Sequence, residues 1–295
     1  MIKLKSGDCI GLVAPAGYVK PDEIKTGLGL LEKQGFCLKY GKNLFNRYRY
    51  YSGKIDERLE DIHNFLVDPE VNILLAVRGG SGSSQLLPYL DYKLWKNAGK
   101  SLVGFSDITA LQWALWSKCQ LDSFSGMALT LQFTPKNPYL KSFFKQLSGQ
   151  KKQWSESDFP QSTIKVVREG SAQGVLLGGT LSIIVSLLGT PYFPKSERII
   201  LFIEDVNEPL YKIERSLVHL KNSGLMERIE GVILGRFKYN NYYLRVWNPL
   251  KYLFPEHIPI VANFPYGHFS RACAIPLGVP AKMETNPFSL KWSVE

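Results

Sequence analysis

The feature that most constrains the fold of this chain is a recurring order of strand, loop and helix signals in its first half. Short apolar runs end in loops rich in glycine, proline or serine, and two of these loops lead into stretches whose apolar residues have helical spacing. The apolar runs are residues 9–14, 71–77 and 102–105, and the helical stretches are 23–34 and 108–116. Repeated units of this kind predict an α/β protein with a mostly parallel, doubly wound sheet and helices on both faces.

The second half of the chain has a different pattern. From about residue 134 to 165 the apolar periodicity is lost, which indicates a crossing between domains. Beyond it, strands are expected at 199–203, 231–235 and 258–262 and a helix near 213–222, so the second domain is predicted to be mixed and turn-rich. We therefore expect an N-terminal α/β domain over 1–135, a linker over 136–165 and a C-terminal domain over 166–295.

Composition excludes several classes of protein. The chain has 295 residues, of which 45% are hydrophobic and 21% charged, so it can bury a core and does not resemble a disordered chain. Its amino terminus lacks the apolar stretch of a signal peptide, and no run approaches the ~20 apolar residues that cross a bilayer. A cytoplasmic location without a membrane partner is therefore expected.

The formal net charge of +10 raises the question of nucleic-acid binding, because Lys and Arg neutralise phosphates. The basic clusters are short, as at Lys151-Lys152 and the pair Lys141 and Lys145, and no RNA-binding or zinc-finger signature is present. No nucleic-acid partner is therefore expected. A surface with this charge would instead attract an anionic small substrate.

The cysteines are widely scattered and include no Cys-x-x-Cys pair; they are Cys9, Cys37, Cys119 and Cys273. This spacing gives no support to a metal site or to redox exchange, so no metal is expected. In a reducing compartment such residues are expected to be small buried side chains of the core.

The glycine-rich loop that follows Arg78 has two competing interpretations. Its backbone N–H groups, between a strand and a helix, could bind a nucleotide phosphate. However, the third glycine position of a dinucleotide motif is Gln85, and no Gly-Lys-Ser/Thr is present, so no nucleotide cofactor is expected. The same N–H groups could instead stabilise the oxyanion of a tetrahedral intermediate.

A possible hydrolytic triad is spread over three distant segments. Ser106, Glu204 and His268 each lie at or just past the end of an apolar run, where an α/β enzyme gathers its reactive side chains. Each also has a structural alternative: Ser106 could cap a helix, Glu204 could be a surface carboxylate and His268 an ordinary loop residue. Ser106 is not in a complete Gly-x-Ser-x-Gly motif, because Ile108 takes the place of the second glycine.

Several sequence words, in order along nearly the whole chain, resemble those of the LD-carboxypeptidases, also called muramoyltetrapeptide carboxypeptidases. The words are AVRGG at 76–80, GFSDITALQ at 104–112, FSGM at 124–127, GGTLS at 178–182, GTP at 189–191, IEDVNE at 203–208 with Glu214-Arg215, GH at 267–268 and PLG at 276–278. One word departs from the family, which usually has a proline after the glycine where this chain has Gly126-Met127.

The resemblance implies a serine peptidase without a cofactor. Ser106 would be the nucleophile, His268 the general base and Glu204 the group that orients the imidazole. The oxyanion donors would be the backbone N–H groups of Gly80 and Asp107. The implied fold is a doubly wound N-terminal domain and a smaller, barrel-like C-terminal domain, with the site between them.

The resemblance also implies the substrate. A cytoplasmic murein tetrapeptide would be cut at the L,D bond that releases its terminal D-alanine, and the enzyme would be a homodimer. An exopeptidase has to bind the free terminal carboxylate. Arg78 is our candidate for this contact, although a structural ion pair would explain an arginine there equally well.

Two alternative functions stay open at this stage. Microcin-immunity peptidases are relatives that cut an amide between an acidic residue and a nucleotide-like group, but no aromatic insertion that would stack a nucleobase is visible in this sequence. The chain could also be a noncatalytic nucleotide- or RNA-binding protein, an interpretation that rests on its charge and its glycine-rich loop.

Overall fold

The structure, a computed structural model, describes residues 3–160 and 163–292. Residues 1 and 2 of the predicted amino-terminal segment, 161 and 162 of the predicted linker, and 293–295 of the predicted C-terminal domain lie outside the described ranges. The described chain forms a six-stranded sheet, an eight-stranded sheet and a two-stranded hairpin, with helices packed around them. The predicted α/β class is confirmed.

The six-stranded sheet is built mostly from the first half of the chain. Its strands are β1 (Cys9–Val13), β2 (Cys37–Tyr40), β3 (Val71–Ala76), β4 (Leu102–Gly104), β5 (Ser123–Ser125) and β14 (Ile275–Leu277). They lie in the order β14-β5-β4-β3-β1-β2, and all neighbours are parallel except β14 and β5. The three strands predicted in this half therefore exist as β1, β3 and β4.

Helices cover both faces of this sheet because its strands are apolar on both sides. In β3, Leu74 and Ala76 belong to one apolar cluster, and Ile73 and Leu75 belong to another on the opposite face. One face is covered by α2 (Ile55–Val67), α3 (Tyr92–Ala98) and α4 (Thr109–Cys119), and the other by α1 (Pro21–Glu32) and α5 (Leu140–Leu147). This is the doubly wound arrangement that the strand and helix order predicts.

The eight-stranded sheet is mixed. Its strands are β6 (Gln153–Ser155), β7 (Lys165–Arg168), β8 (Ser171–Thr180), β9 (Ile199–Glu204), β10 (Ile229–Leu234), β13 (Ile260–Ala262), β15 (Val279–Thr285) and β16 (Phe288–Trp292). They lie in the order β6-β16-β15-β8-β9-β10-β13-β7, in which β8, β9, β10 and β13 are parallel neighbours. The carboxyl ends of these four strands therefore lie along one edge of the sheet.

This sheet is strongly curved. Phe264, just after β13, and Phe288, in β16, have ring centroids 5.8 Å apart. In the strand order β13 is seventh and β16 is second, so in a flat sheet these strands would be ~24 Å apart at the usual spacing. The curvature brings the two ends of the sheet around a shared aromatic core, in agreement with the barrel-like shape that the resemblance implies.

The remaining elements lie around the second sheet. They are α6 (Leu181–Ser186), α7 (Leu210–Asn222), α8 (Trp247–Leu250) and the hairpin of β11 (Phe237–Tyr239) and β12 (Tyr242–Leu244). The two sheets meet across α4: Nε1 of Trp113 donates a hydrogen bond of 2.7 Å to the carbonyl of Gly178 in β8. Trp113 is fully buried in a cluster that contains side chains of both sheets.

The predicted linker over 136–165 contains regular structure that its sequence pattern did not indicate. The helix α5 packs Leu140, Phe143 and Leu147 on the first sheet, and β6 forms an edge of the second. Both elements are short, so neither gives a long periodic signal. In addition, β14 lies within the range predicted for the C-terminal domain but pairs with β5 of the first sheet. The division of the chain into domains stays a prediction.

The expectation that all four cysteines are small buried side chains of the core is wrong for one pair. Cys9 and Cys37 form a disulfide, and Cys37 is exposed. They are register partners in the adjacent parallel strands β1 and β2, with their Cα atoms 4.3 Å apart. Because they are 28 positions apart in the sequence, only the strand pairing brings them together. Cys119 and Cys273 are free and buried, as expected.

No helix in the described ranges is long and apolar enough to span a bilayer.

We expect Trp113→Ala to lower the free energy of unfolding by ~3–5 kcal/mol, because it removes a large buried side chain at the junction of the two sheets. Urea denaturation followed by circular dichroism measures the change. Tyr242→Ala is the control, since Tyr242 is 76% exposed and should change stability by no more than ~0.5 kcal/mol. Equal effects of the two changes would show that Trp113 does not join the sheets.

Candidate active site

Ser106 lies at the sharp turn between β4 and α4. Its φ of 64° is in the left-handed region that residues other than glycine rarely adopt, and a 3₁₀ turn over Ser106–Ile108 leads into the helix. Gly104 is required for this turn, because a Cβ there would lie 2.4 Å from Cγ2 of Ile108. The Ile108 side chain that replaces the second motif glycine thus packs against the first. A strained serine between strand and helix has the geometry of a nucleophile elbow.

The three predicted triad residues form one hydrogen-bonded chain. Nε2 of His268 lies 2.8 Å from Oγ of Ser106, and Nδ1 of the same ring lies 2.7 Å from Oε2 of Glu204. An ionised carboxylate can only accept, so Nδ1 carries a proton and Nε2 of a neutral ring accepts the serine hydroxyl. Ser106 therefore does not act as a helix cap here. The arrangement can move a proton from the serine to the imidazole.

Glu204 ends β9 and is completely buried. Its second oxygen, Oε1, accepts a hydrogen bond of 2.7 Å from the hydroxyl of Thr180 at the end of β8. The two residues are register partners in neighbouring parallel strands, which explains their closeness. The surface-carboxylate alternative for Glu204 is therefore wrong. Thr180 is part of the word GGTLS, but no role was predicted for it from the sequence. Its position at the end of a strand was the signal that could have indicated one.

The other glutamate of the word IEDVNE lies elsewhere. The carboxylate of Glu208 is 3.7 Å from Nζ of Lys212, and the carboxylate that contacts Nδ1 of His268 is that of Glu204. Of the two glutamates, geometry therefore selects Glu204 as the partner of the imidazole.

Asp205 is a second buried carboxylate beside Glu204 that sequence reasoning missed. It accepts hydrogen bonds from the backbone N–H of Ser182 at 2.7 Å and of Val206 at 2.8 Å. Burial, together with the neighbouring charge of Glu204, raises the pKa of Asp205 to about 6. The contact with Ser182 fixes the first turn of α6 to the end of β9, and so holds the strand ends that carry Thr180 and Glu204.

The glycine-rich loop lies against the nucleophile. A Cβ on Gly79 would lie 2.7 Å from Cβ of Ser106, so only glycine fits there. Gly80 has a φ of 112°, and the side chain of Asp107 accepts a hydrogen bond of 2.8 Å from the N–H of Ser83, which ties the loop to the elbow. The N–H of Asp107 belongs to a first helical turn, where no intrahelical acceptor exists. The roles of the Gly80 and Asp107 N–H groups as oxyanion donors stay predictions.

The pKa of His268 is raised above its ordinary value of 6.5. Burial of the ring lowers the pKa, but the charge of Glu204 and its hydrogen bond to Nδ1 raise it by more, with a further contribution from Asp205. The protonated imidazole is thus favoured by its carboxylate partner. A base with this property takes up a proton more readily than an imidazole without a carboxylate partner.

Arg78 is near the site but has a structural partner. Its Nη1 atom lies 3.3 Å from Oε1 of Glu23 and donates a hydrogen bond of 3.1 Å to the carbonyl of Tyr18. The ion pair is partly exposed, so it is weak. The structural alternative considered for Arg78 is therefore realised, while its contact with a substrate stays a prediction.

The turn at Gly126-Met127 forms without the proline that is usual in the family. Gly126 has a φ of 113°, and a Cβ there would lie 2.6 Å from the carbonyl oxygen of Cys273. Met127 is fully buried in the core of the first sheet. The side chain after the glycine therefore serves packing and is not at the surface of the site.

Among residues 3–160 and 163–292, no cluster of three or more His, Cys, Asp and Glu side chains could hold a metal ion. A cavity of about 730 Å³ is lined by residues such as Phe159, Glu284 and Phe288 and includes no triad residue. Because no triad residue lines it, this cavity is not the reactive site in spite of its volume.

Comparison with known proteins agrees with the geometry. The sequence profile of the LD-carboxypeptidase N-terminal domain matches residues 10–126, and that of the LD-carboxypeptidase C-terminal domain matches 173–283. A protein of Bacillus subtilis named as a probable murein peptide carboxypeptidase is 33% identical over 96% of this chain and 90% of its own. The microcin C7 self-immunity protein MccF of Escherichia coli is 27% identical over 94% and 90%. The crystal structure of a muramoyltetrapeptide carboxypeptidase from Oxalobacter formigenes has a TM-score of 0.83 and 26% identity, covering 97% of this chain and 99% of that one.

We expect Glu204→Gln to lower the pKa of His268. The change keeps the burial that disfavours the charged ring and removes the main charge that favours it. Titration of the histidine ring protons by NMR measures the pKa. Glu208→Gln serves as the matched control and should leave it unchanged, since Glu208 pairs with Lys212. A His268 pKa that is the same in the wild type and in Glu204→Gln would contradict the hydrogen-bonded geometry.

Proposed function

The chain belongs to the LD-carboxypeptidase family, and on this premise we propose that it is a serine carboxypeptidase that cuts the L,D-peptide bond of murein tetrapeptides and releases their terminal D-alanine. The observation that carries the proposal is the chain of contacts from Ser106 through His268 to the buried Glu204. The names of the relatives, murein peptide and muramoyltetrapeptide carboxypeptidase, support the substrate class. The family match over most of the chain favours an enzyme over a noncatalytic nucleic-acid-binding protein.

The first step of the reaction forms a tetrahedral intermediate on Ser106. Nε2 of His268 takes the proton of Ser106 while Oγ attacks the carbonyl carbon before the terminal D-alanine. Glu204 stabilises the imidazolium that results and holds its Nδ1–H in place. The N–H groups of Gly80 and Asp107 are the proposed donors to the oxyanion.

The second half releases the products. The imidazolium gives its proton to the nitrogen of the leaving D-alanine, which departs as the C–N bond breaks and leaves an acyl-enzyme on Ser106. Water then attacks the acyl-enzyme with His268 as base, and the shortened peptide leaves as Ser106 regains its proton. Thr180 acts through Glu204, because its hydrogen bond fixes the second oxygen of that carboxylate.

The electrostatics of the chain fit a substrate of this kind. A murein tetrapeptide carries free carboxylates, and the chain has a formal net charge of +10. Opposite charges raise the rate of encounter between enzyme and substrate. From the family resemblance we also propose that the enzyme acts in the cytoplasm as a homodimer.

We expect Ser106→Ala to abolish release of D-alanine from a purified tetrapeptide while the fold is kept. Removing the nucleophile of such a triad typically costs ~10⁶-fold in kcat. Chromatographic measurement of D-alanine gives the rate, and circular dichroism checks the fold. Ser117→Ala, a serine change further along α4, is the control and should retain activity. A folded Ser106→Ala protein with wild-type turnover would refute the assignment of the nucleophile.

We expect a tetrapeptide whose terminal D-alanine is amidated to be a much poorer substrate than the free acid. An exopeptidase that binds a buried carboxylate leaves the partners of that group unpaired when the charge is removed. A drop in kcat/KM of about tenfold or more is expected from the loss of one charge-assisted contact. Equal rates on acid and amide would instead favour an amidase of the microcin-immunity type.

A further inference from the structure

A cavity of about 460 Å³ opens on the edge of the second sheet that carries Glu204. It is lined by Gly235 and Arg236, which follow β10, and by Asn263, which follows β13. A Cβ on Gly235 would lie 3.1 Å from Cβ of Glu204, so the wall of the cavity abuts the triad. In proteins with parallel sheets, ligands bind beyond the carboxyl ends of the strands. This cavity lies beyond the carboxyl ends of β10 and β13.

The charge of the cavity is positive. Lys165, Arg236 and Arg245 line it, and no Asp or Glu does so among the described residues. Within the same part of the chain, none of these three cations lies within ion-pair distance of a carboxylate. Three cations around one concave space, without a counter-charge, make it attractive to an anion.

Arg236 is held in a fixed place. Its guanidinium carbon lies 4.6 Å from the ring centroid of Phe269 and 5.5 Å from that of Tyr243. Its Nε is buried and has no hydrogen-bond acceptor among the described residues. The two rings fix the guanidinium in its place at the wall of the cavity.

The position of Arg236 also connects it to the reaction. Phe269, the ring beneath its guanidinium, follows His268 directly in the chain. On the other side, Tyr243 belongs to the hairpin of β11 and β12, whose turn residues Asn240 and Asn241 both have positive φ. Such a turn fits the twist of a two-residue hairpin, so Tyr243 is presented by a regular element.

We propose that this cavity is the subsite for a carboxylate of the peptide substrate, with Arg236 as its main partner and Lys165 and Arg245 at its rim. The planar guanidinium is suited to a carboxylate because it can donate two parallel hydrogen bonds. Arg78, in contrast, already contacts Glu23 and the carbonyl of Tyr18. The inference rests on the proposed function, because it takes an acidic peptide as the ligand.

The test measures binding of the intact tetrapeptide by calorimetry in a Ser106→Ala background, which prevents turnover. Adding Arg236→Gln should raise Kd by about tenfold or more, and Arg236→Lys should recover part of the affinity. Arg198→Gln is the matched control, since Arg198 is exposed, pairs with Glu230 and lies outside the cavity. Its Kd should equal that of the background.

Two modified peptides identify the carboxylate. One is amidated at the terminal D-alanine and the other at its internal carboxyl groups. The peptide that lacks the carboxylate bound by Arg236 should bind weakly to the Ser106→Ala protein. Adding Arg236→Gln to that protein should cause no further loss of affinity for this peptide. If both peptides lose as much affinity with Arg236→Gln as the unmodified one does, the cavity binds no carboxylate and the inference is overturned.

The remaining outcomes separate this inference from the proposed function. An unchanged Kd in Arg236→Gln, or no binding of the tetrapeptide to the background, overturns the inference. Binding that depends on Arg236, without release of D-alanine by the wild type, overturns only the proposed function. Should Arg236→Gln fail to fold, Arg245→Gln replaces it, because Arg245 is at an exposed position. A rise in Kd of about threefold is expected for this variant. An unchanged Kd would contradict the proposal.

Discussion

The buried charge of Glu204 is the interaction on which the rest of the site depends. A carboxylate that is fully removed from water costs several kcal/mol unless its oxygens are paired. Here one oxygen is paired with Thr180 and the other with His268. Thr180 precedes β9 in the sequence and His268 follows it. The charge is therefore satisfied only when β8, β9 and the loop after β13 are in place. The same contacts fix the orientation of the imidazole.

The triad also depends on how the two sheets pack together. Ser106 comes from the end of β4 in the first sheet, whereas Glu204 and His268 come from the second. The helix α4 that follows Ser106 is joined to β8 by the Trp113 hydrogen bond to Gly178, and the N–H of Thr180 donates to Oγ1 of Thr109 at 3.2 Å. Because a misplacement of about 1 Å can cost ~100-fold in rate, this packing is part of the reactive geometry.

Much of the fold and of the site could be predicted from the sequence. The apolar runs locate β1, β3 and β4, and the ends of such runs locate Ser106 and Glu204. What could not be predicted depends on the three-dimensional arrangement. The pairing of Cys9 with Cys37 requires the register of β1 against β2, and the support of Glu204 by Thr180 requires that of β8 against β9. The elements α5 and β6 are too short for a clear periodic signal.

The proposed reaction depends on an imidazole that Glu204 makes more basic and that must be neutral to accept the proton of Ser106. The most direct test is the dependence of kcat/KM for D-alanine release on pH, since its acidic limb reports the pKa of the base in the free enzyme. Because the folded-state pKa of His268 is raised, activity should be lost as pH falls through a midpoint above 6.5. An acidic limb with its midpoint below 6.5, or none, would contradict the account.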